Sequence, residues 1–130
     1  MKNIEASTDA GSSRIDRGDV FWVPPDDRRE PVPTYSHPYV VVQDDVFNHS
    51  RITTVVACAL TSNLQRVTEP GNVLLEAGEA NLASRSVVVV SQVCSIDKVR
   101  LGERIGSLSE LRVEQILAGL RFQQASFFRR

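Results

Sequence analysis

The sequence contains little cysteine and no strong excess of either charge. Only two of its 130 residues are cysteine, and they form no Cys-x-x-Cys pair or cysteine–histidine cluster, which argues against a zinc site. Cys58 and Cys94 both lie in apolar runs, so we expect buried, reduced thiols. The net charge of −1 excludes a strongly basic protein, so any nucleic acid should bind in a local groove.

Long hydrophobic segments are also absent. No apolar run reaches the roughly 18 residues that a membrane span requires, and the polar first 16 residues lack the apolar block of a secretory signal. We therefore expect a cytoplasmic protein with no membrane contact. The chain length suits one compact domain. We expect a flexible arm over residues 1–16, a folded domain over 17–123 and a C-terminal tail over 124–130.

Runs rich in β-branched and aromatic residues predict at least five strands. They cover Asp19–Val23, Tyr39–Gln43, Ile52–Leu60, Asn72–Glu76 and Ser86–Val93. Trp22 lies on the first apolar strand, so we expect it in the core. The segment from Pro24 to Pro38 contains five prolines, which predicts a long loop. Its polar content favours a flap that faces a substrate.

The hydrophobic period changes after Ser107. Val113, Ile116, Leu117 and Leu120 recur at the spacing of one helix face, and Ser107 and Glu110 match a capping box at its start. A single helical turn is expected near residues 46–48. The pattern predicts an α+β, mostly β domain, either an antiparallel sheet or a small barrel, with a C-terminal helix.

Six short motifs occur in one order along the chain. They are Arg17-Gly18-Asp19-Val20-Phe21-Trp22-Val23, His37-Pro38-Tyr39-Val40-Val41-Val42, Asp45-Val46-Phe47-Asn48, Ala59-Leu60-Thr61-Ser62-Asn63, Ser86-Val87-Val88 with Gln92-Val93, and Ser95-Ile96-Asp97-Lys98 with Arg100-Leu101. Together they resemble the MazF/PemK (Kid-like) family of toxins from toxin–antitoxin systems, over about Arg17 to Phe122.

The resemblance implies an SH3-like barrel of antiparallel strands with short helices, paired into a homodimer. It also implies a type II toxin that cleaves single-stranded RNA without a metal or other cofactor, through attack by the 2′-hydroxyl of the RNA. The products would be a 2′,3′-cyclic phosphate and a 5′-hydroxyl. A cognate antitoxin would cover the active groove, and DNA would be bound only through the antitoxin complex.

Two catalytic residues follow from the resemblance. Thr61 matches the threonine that ends the third strand in the family, where its hydroxyl can donate to a phosphate oxygen; it could also simply terminate the strand. His37 stands where the family carries an arginine. It could act as a general acid or base, or as a cation, or be an exposed loop residue. If His37 transfers protons, cleavage should vary between about pH 5.5 and 7.5.

Further residues are candidates for RNA contact. Arg28 and Arg29 in the predicted flap could contact phosphates or be solvated, and Tyr35 could stack on a base. Ser62, Asn63 and Gln92 are also predicted to bind RNA, although Gln92 could be structural.

The sequence departs from the family pattern beside Gln92. Ser91 and Cys94 replace an acid and an arginine of the family, which leaves the base preference open. Asp44 and Asp45 are adjacent, and turn capping is the expected role for them rather than metal binding.

A second function stays open at this point. CcdB-like toxins share the fold and act by binding a protein partner, so a catalytically weak or silent barrel is the alternative. His37, Ser91 and Cys94 support that alternative, whereas Thr61 supports the endoribonuclease.

Overall fold

A computed structural model describes residues 14–25 and 36–128 of the chain. Most of the predicted N-terminal arm and of the proline-rich flap lie outside the described residues. Arg28, Arg29 and Tyr35 are among the residues outside this range. No helix in the described part of the chain is long and apolar enough to cross a membrane.

The described chain is built mainly from strands, as the sequence predicts. The six strands are β1 (Asp19–Val23), β2 (His37–Val41), β3 (Thr54–Thr61), β4 (Val73–Leu75), β5 (Ser86–Asp97) and β6 (Arg104–Ser107). The α-helices are α1 (Asp45–Asn48) and α2 (Glu110–Phe128), and short 3₁₀ turns occupy Leu64–Thr68, Glu79–Asn81 and Lys98–Arg100. The predicted helical turn near residues 46–48 and the C-terminal helix are both present.

The six strands of the described residues belong to one antiparallel sheet, which confirms the predicted fold class. Its order is β4-β5-β3-β2-β1-β6, so β4 and β6 form the two edges. The sheet is curled into a half-barrel, and the 3₁₀ turn at Glu79–Asn81, which follows β4, packs against β6. This contact is close, because a Cβ atom on Gly106 of β6 would lie 2.5 Å from the carbonyl oxygen of Ala80. The turn therefore bridges the two edges of the curled sheet.

Alternate residues of the central strands supply two hydrophobic clusters, as the twofold side-chain period of a strand requires. Val40 and Cys58 belong to the larger cluster, which also contains Ile116 of α2. Val41 and Ala57, their chain neighbours, belong to the smaller cluster with Phe21 of β1. The helix thus covers one face of the sheet.

The start of α2 differs from the predicted capping box. The Oγ atom of Ser109 accepts a hydrogen bond from the backbone N–H of Arg112 at 3.2 Å, so Ser109 caps the helix. Ser107 instead lies at the end of β6, and its hydroxyl donates to the buried carboxylate of Asp19 at 2.5 Å. Ser107, the predicted cap residue, does not cap the helix because it belongs to β6, which pairs with β1.

Two predictions of burial were wrong. Trp22 is 40% exposed although it lies on an apolar strand, because it stands beside a cavity at the end of the sheet. Cys94 is exposed, whereas Cys58 is buried as predicted. A shift of pairing register between Cys58 and Ala59 disrupts the regular pairing of β5, and the strand continues to Asp97. The apolar run before Cys94 did not reveal this irregularity.

Candidate active site

The ends of three neighbouring strands bring the two predicted catalytic residues together. Val23, the last residue of β1, pairs with His37, the first residue of β2. The register between β2 and β3 pairs Tyr39 with Ala59 and Val41 with Ala57. Continued by two residues, it sets His37 opposite Thr61, the last residue of β3. Both side chains therefore lie at the same end of the sheet.

His37 and Thr61 line one cavity of about 450 Å³, which we call the strand-end groove. Its other lining residues come from strands β1, β2, β3 and β6, from the start of β5, and from the bridging turn and the segment that follows it. They are Trp22, Pro38, Leu60, Ser62, Asn81, Leu82, Ala83, Ser84, Ser86 and Ile105. The groove combines apolar side chains with hydroxyl, amide and imidazole groups, which is the usual composition of a ligand site.

The hydroxyl of Thr61 forms one hydrogen bond with the backbone of the residues that follow it. Its Oγ1 atom accepts a hydrogen bond from the backbone N–H of Asn63 at 3.1 Å. A hydroxyl carries one hydrogen and two lone pairs, so this contact uses a lone pair and leaves the O–H available as a donor. The side chain is only partly buried. Thr61 can therefore donate to an anionic group in the groove.

His37 is exposed and also lines a second, smaller cavity of about 240 Å³. Tyr39, Cys94 and Arg100 line the same cavity, and a guanidinium N–H of Arg100 donates to the carbonyl of Pro24. Burial raises the pKa of the Cys94 thiol, and the positive charge of Arg100 opposes that rise. The imidazole thus lies between the strand-end groove and a cavity that contains a permanent cation.

The remaining predicted RNA-binding residues are placed differently. Ser62 is exposed and lines the groove. The Oδ1 atom of Asn63 accepts from the backbone N–H of Gln65 at 3.2 Å and caps the following 3₁₀ turn. Gln92 is exposed on β5, outside the set of residues described as lining the groove. The structure therefore brings Ser62, but not Gln92, to His37 and Thr61.

Three residues near the candidate site had no functional role in the sequence analysis. Trp22 and Asn81 line the groove, and Arg100 shares the second cavity with His37. Arg100 occurs in one of the six motifs, so its position in the family pattern was a usable signal. Trp22 was assigned to the core by its apolar strand. Asn81 lies between the predicted strands Asn72–Glu76 and Ser86–Val93, where none of the six motifs falls.

Of the two adjacent acidic residues, Asp44 caps a turn, as expected, and Asp45 joins that turn to the segment before β1. Asp44 accepts a hydrogen bond at Oδ1 from the backbone N–H of Val46 at 2.8 Å and caps α1. Oδ1 of Asp45 accepts from the backbone N–H of Arg17 at 2.7 Å and from the side chain of Asn48 at 2.9 Å. These contacts fix α1 against the segment before β1.

One group of potential metal ligands does occur in the described residues. The ligand atoms of Asp16, Asp45 and His49 lie within 4.8 Å of one another. Nε2 of His49 is 2.8 Å from Oδ1 of Asp16, which also accepts from the Nε–H of Arg14 at 3.1 Å. Because hydrogen-bond donors already engage both carboxylates, the group serves to attach the segment before β1 to α1.

The fold and the groove define a small antiparallel β protein with a cleft of mixed polar and apolar lining at one end of its sheet. A comparison with protein families matches residues 16–123 to the family described as PemK-like, MazF-like toxin of type II toxin–antitoxin system. The chain belongs to this PemK/MazF toxin family.

Three similar proteins are named endoribonucleases. The chain is 34% identical over 110 residues to endoribonuclease MazF2 of Mycobacterium bovis, covering 82% of this chain and 94% of that protein. Endoribonuclease MazF6 of Mycobacterium tuberculosis gives the same values. Endoribonuclease EndoA of Bacillus subtilis is 30% identical over 88 residues, covering 68% of this chain and 75% of that protein.

Solved structures of similar fold support the same architecture. A mycobacterial endoribonuclease in complex with its cognate antitoxin superposes with a TM-score of 0.67 at 22% identity, covering 85% of this chain and 94% of that chain. MazF from Deinococcus radiodurans superposes with a TM-score of 0.66 at 20% identity, covering 85% and 96%. At these identities the likeness establishes the fold.

Proposed function

We propose that this protein is the toxin of a type II toxin–antitoxin system and cleaves single-stranded RNA as an endoribonuclease. The observation that carries the proposal is that His37 and Thr61, which are distant in sequence, line one groove at the end of the sheet. Family membership and the named endoribonucleases among its relatives support the same activity. They do not favour the alternative of a silent, CcdB-like binding protein.

The proposed reaction uses the 2′-hydroxyl of the RNA as nucleophile. Its oxygen forms a bond to the adjacent phosphorus, the bond from phosphorus to the 5′-oxygen breaks, and a 2′,3′-cyclic phosphate and a 5′-hydroxyl result. One proton must leave the nucleophile and one must reach the leaving oxygen. The proposal requires no metal or other cofactor.

His37 and Thr61 have complementary roles in this scheme. Neutral His37 would accept the proton of the 2′-hydroxyl, or protonated His37 would donate a proton to the leaving 5′-oxygen. The Thr61 O–H, with one lone pair already bonded to the N–H of Asn63, would donate to a phosphate oxygen as negative charge develops. Ser62 would contact the RNA beside them, and Arg28, Arg29, Tyr35, Asn63 and Gln92 stay predictions for RNA contact.

The test is cleavage of a long single-stranded RNA in EDTA. We expect discrete cuts by the wild type, with loss of about 100-fold or more in rate for Thr61→Val. Thr61→Ser should retain most of the activity because it keeps the hydroxyl. Gln123→Ala on α2 is a control that removes an exposed side chain outside the groove. Absence of cleavage by the wild type at every pH from 5.5 to 8 would contradict the proposal.

The role of His37 has its own measurement. Cleavage by the wild type and by His37→Arg is compared at each pH from 5.5 to 8. His37→Arg restores the residue type of the family pattern and replaces the imidazole by a permanent cation. We expect this variant to cleave with a flat profile over that range. An unchanged pH profile in His37→Arg would assign the titration to another group.

The family also suggests how the protein assembles. We propose that the protein forms a homodimer, that a cognate antitoxin inhibits it by covering the groove, and that DNA is bound only through that complex. Its RNA substrate and its antitoxin would place it in the cytoplasm. Co-expression with the cognate antitoxin and measurement of the mass of the complex in solution would test the dimer and the partner together.

A further inference from the structure

The strand-end groove has more apolar surface than phosphate chemistry needs. Trp22 pairs with Pro38 across β1 and β2, and the register sets Leu60 beside Pro38 on β3. These three side chains therefore form a row on one face of the sheet. Leu82 and Ile105 complete the apolar lining, and His37 and Thr61 lie at the end of the strands. An apolar lining next to two polar groups suits a flat aromatic ligand that is joined to a phosphate.

The backbone of Trp22 is held firmly although the residue is 40% exposed. Its backbone N–H donates to the carbonyl of Glu103 at 3.0 Å, and its carbonyl accepts from the N–H of Gly102 at 2.7 Å. The chain approaches so closely that a Cβ atom on Gly102 would lie 2.7 Å from the Trp22 carbonyl oxygen. An exposed indole on a fixed backbone beside a groove is a surface on which a nucleobase can stack.

Asn81 contributes a side-chain amide to the groove, and the backbone of the turn that carries it is strained. Ala80 and Asn81 have φ angles of 51° and 60°, in the left-handed region that non-glycine residues rarely adopt. Close contact with Gly106 holds Ala80, and Arg112 forms two hydrogen bonds to the carboxylate of Glu79 at 2.8 and 2.9 Å. Contacts from β6 and from α2 therefore hold the turn that carries Asn81.

The orientation of the Asn81 amide follows from its partner. Nδ2 donates to the carbonyl oxygen of Ile105 at 2.9 Å, and a carbonyl can only accept, so the nitrogen must face it. This leaves the Oδ1 acceptor and one N–H donor of an exposed side chain that lines the groove. An acceptor and a donor on one amide match the edge of a nucleobase.

We propose that the strand-end groove binds one unstacked nucleobase of the RNA, beside the phosphate at His37 and Thr61. Trp22 supplies the stacking surface, and Asn81 reads the edge of the base. The inference rests on the proposed endoribonuclease activity and extends it, because it makes Asn81 a specificity-determining residue. It also accounts for single-stranded substrates, since a base in a duplex is stacked and paired.

Trp22 is the only tryptophan of the chain, so its fluorescence reports on the groove directly. The probe is an RNA with 2′-O-methyl groups, which cannot form the cyclic phosphate and so stays intact. We expect this RNA to quench the fluorescence on binding and to protect the indole from acrylamide. The affinity for the same RNA is measured by the fluorescence anisotropy of a label at its end. We expect the affinity to fall about tenfold in Trp22→Leu and less in Trp22→Phe, which keeps an aromatic ring.

The role of Asn81 is measured as a change in base preference. Four RNAs that differ at one position near the cut are compared for cleavage by the wild type and by Asn81→Gly, which keeps access to the left-handed backbone. We expect the ratio between the best and worst base to fall about fivefold or more. Gln123→Ala, which removes another exposed amide, on α2, should leave that ratio unchanged. Thermal unfolding of each variant shows whether the fold is intact.

The outcomes separate this inference from the proposed function. Cleavage by the wild type with no change in Trp22 fluorescence, or with an unaltered base preference in Asn81→Gly, would overturn the base-binding groove and leave the endoribonuclease standing. Quenching by an antitoxin peptide but not by RNA would overturn it in favour of a peptide site. A wild type that neither binds nor cleaves RNA would overturn both proposals.

Discussion

Replacing Gly106 with alanine should disturb the turn that bridges the two edges of the sheet. The added Cβ atom would lie 2.5 Å from the oxygen and 2.6 Å from the carbon of the Ala80 carbonyl. Ordinary contact begins near 3.4 Å, so the turn or β6 must move by about 0.9 Å. Both contacting atoms belong to the backbone, and no flexible side chain can yield in their place.

The expected cost is a reduction of about 1–3 kcal/mol in the free energy of unfolding, which is typical of forced overpacking. The same movement would displace Asn81 from the strand-end groove, and a misplacement near 1 Å can lower a rate by up to about 100-fold. Urea unfolding followed by Trp22 fluorescence measures the first effect, and cleavage of RNA measures the second.

Glu103→Ala provides a neighbouring control for Gly106→Ala. Its side chain is exposed and precedes β6, so its effect on unfolding should stay within about 0.5 kcal/mol. The reasoning would be refuted if Gly106→Ala unfolded at the same urea concentration as the wild type and cleaved RNA at the same rate. Such a result would mean that the edge contact yields without cost and does not position the turn.

Three further changes have outcomes that follow from the structure. Gly119→Ala should destabilise the protein by about 1–3 kcal/mol in urea, because its Cβ atom would overlap backbone only 2.1 Å away. Hydrogen bonds from Arg112 lower the pKa of Glu79, so their stabilisation is present near neutral pH and should diminish as the pH falls below 4.5. A thiol reagent at pH 8 should modify exposed Cys94 in the folded protein, whereas burial raises the pKa of Cys58 to about 12 and prevents its reaction before unfolding.

Each of these outcomes has a matched control. Ala118→Gly removes a methyl group from an exposed position of α2 and should cost only about 1 kcal/mol of helix propensity. A more stable Gly119→Ala would show that propensity outweighs the contact with Gly71. Arg112→Met should flatten the acid dependence of unfolding, and an equal slope in both proteins would remove the ion pair from the explanation. Two thiols modified at equal rates would contradict the burial of Cys58.

Local sequence patterns predicted the strands well because β-branched runs record burial on a pleated surface. The run at Ser86–Val93 identified β5, and the helical spacing after Ser107 identified α2. The failures depended on tertiary pairing. Whether Ser107 or Ser109 caps the helix is decided by the pairing of β6 with β1, and Cys94 is exposed after an irregularity in β5 that depends on its register with β3.

Only part of the candidate site, the two proposed catalytic residues, could be predicted from the sequence. Thr61 and His37 could be located because the family pattern marks them. Asn81 could not, because a left-handed backbone is expected at glycine, and the sequence has alanine and asparagine there. The contact that holds this turn comes from Gly106, far along the chain. A glycine in a strand indicates a close approach, but it does not say which backbone approaches.

The substitution of histidine for the family arginine is better understood with its surroundings. An arginine supplies a permanent charge, and His37 can supply charge only when protonated. Arg100 lines the second cavity beside His37 and keeps a guanidinium at that end of β2. If Arg100 provides the standing positive charge for the phosphate, then His37 is available for proton transfer. One arginine cannot both keep a permanent charge and transfer protons near neutral pH. These two tasks would then be divided between Arg100 and His37, and the apolar end of the groove would be left for the base.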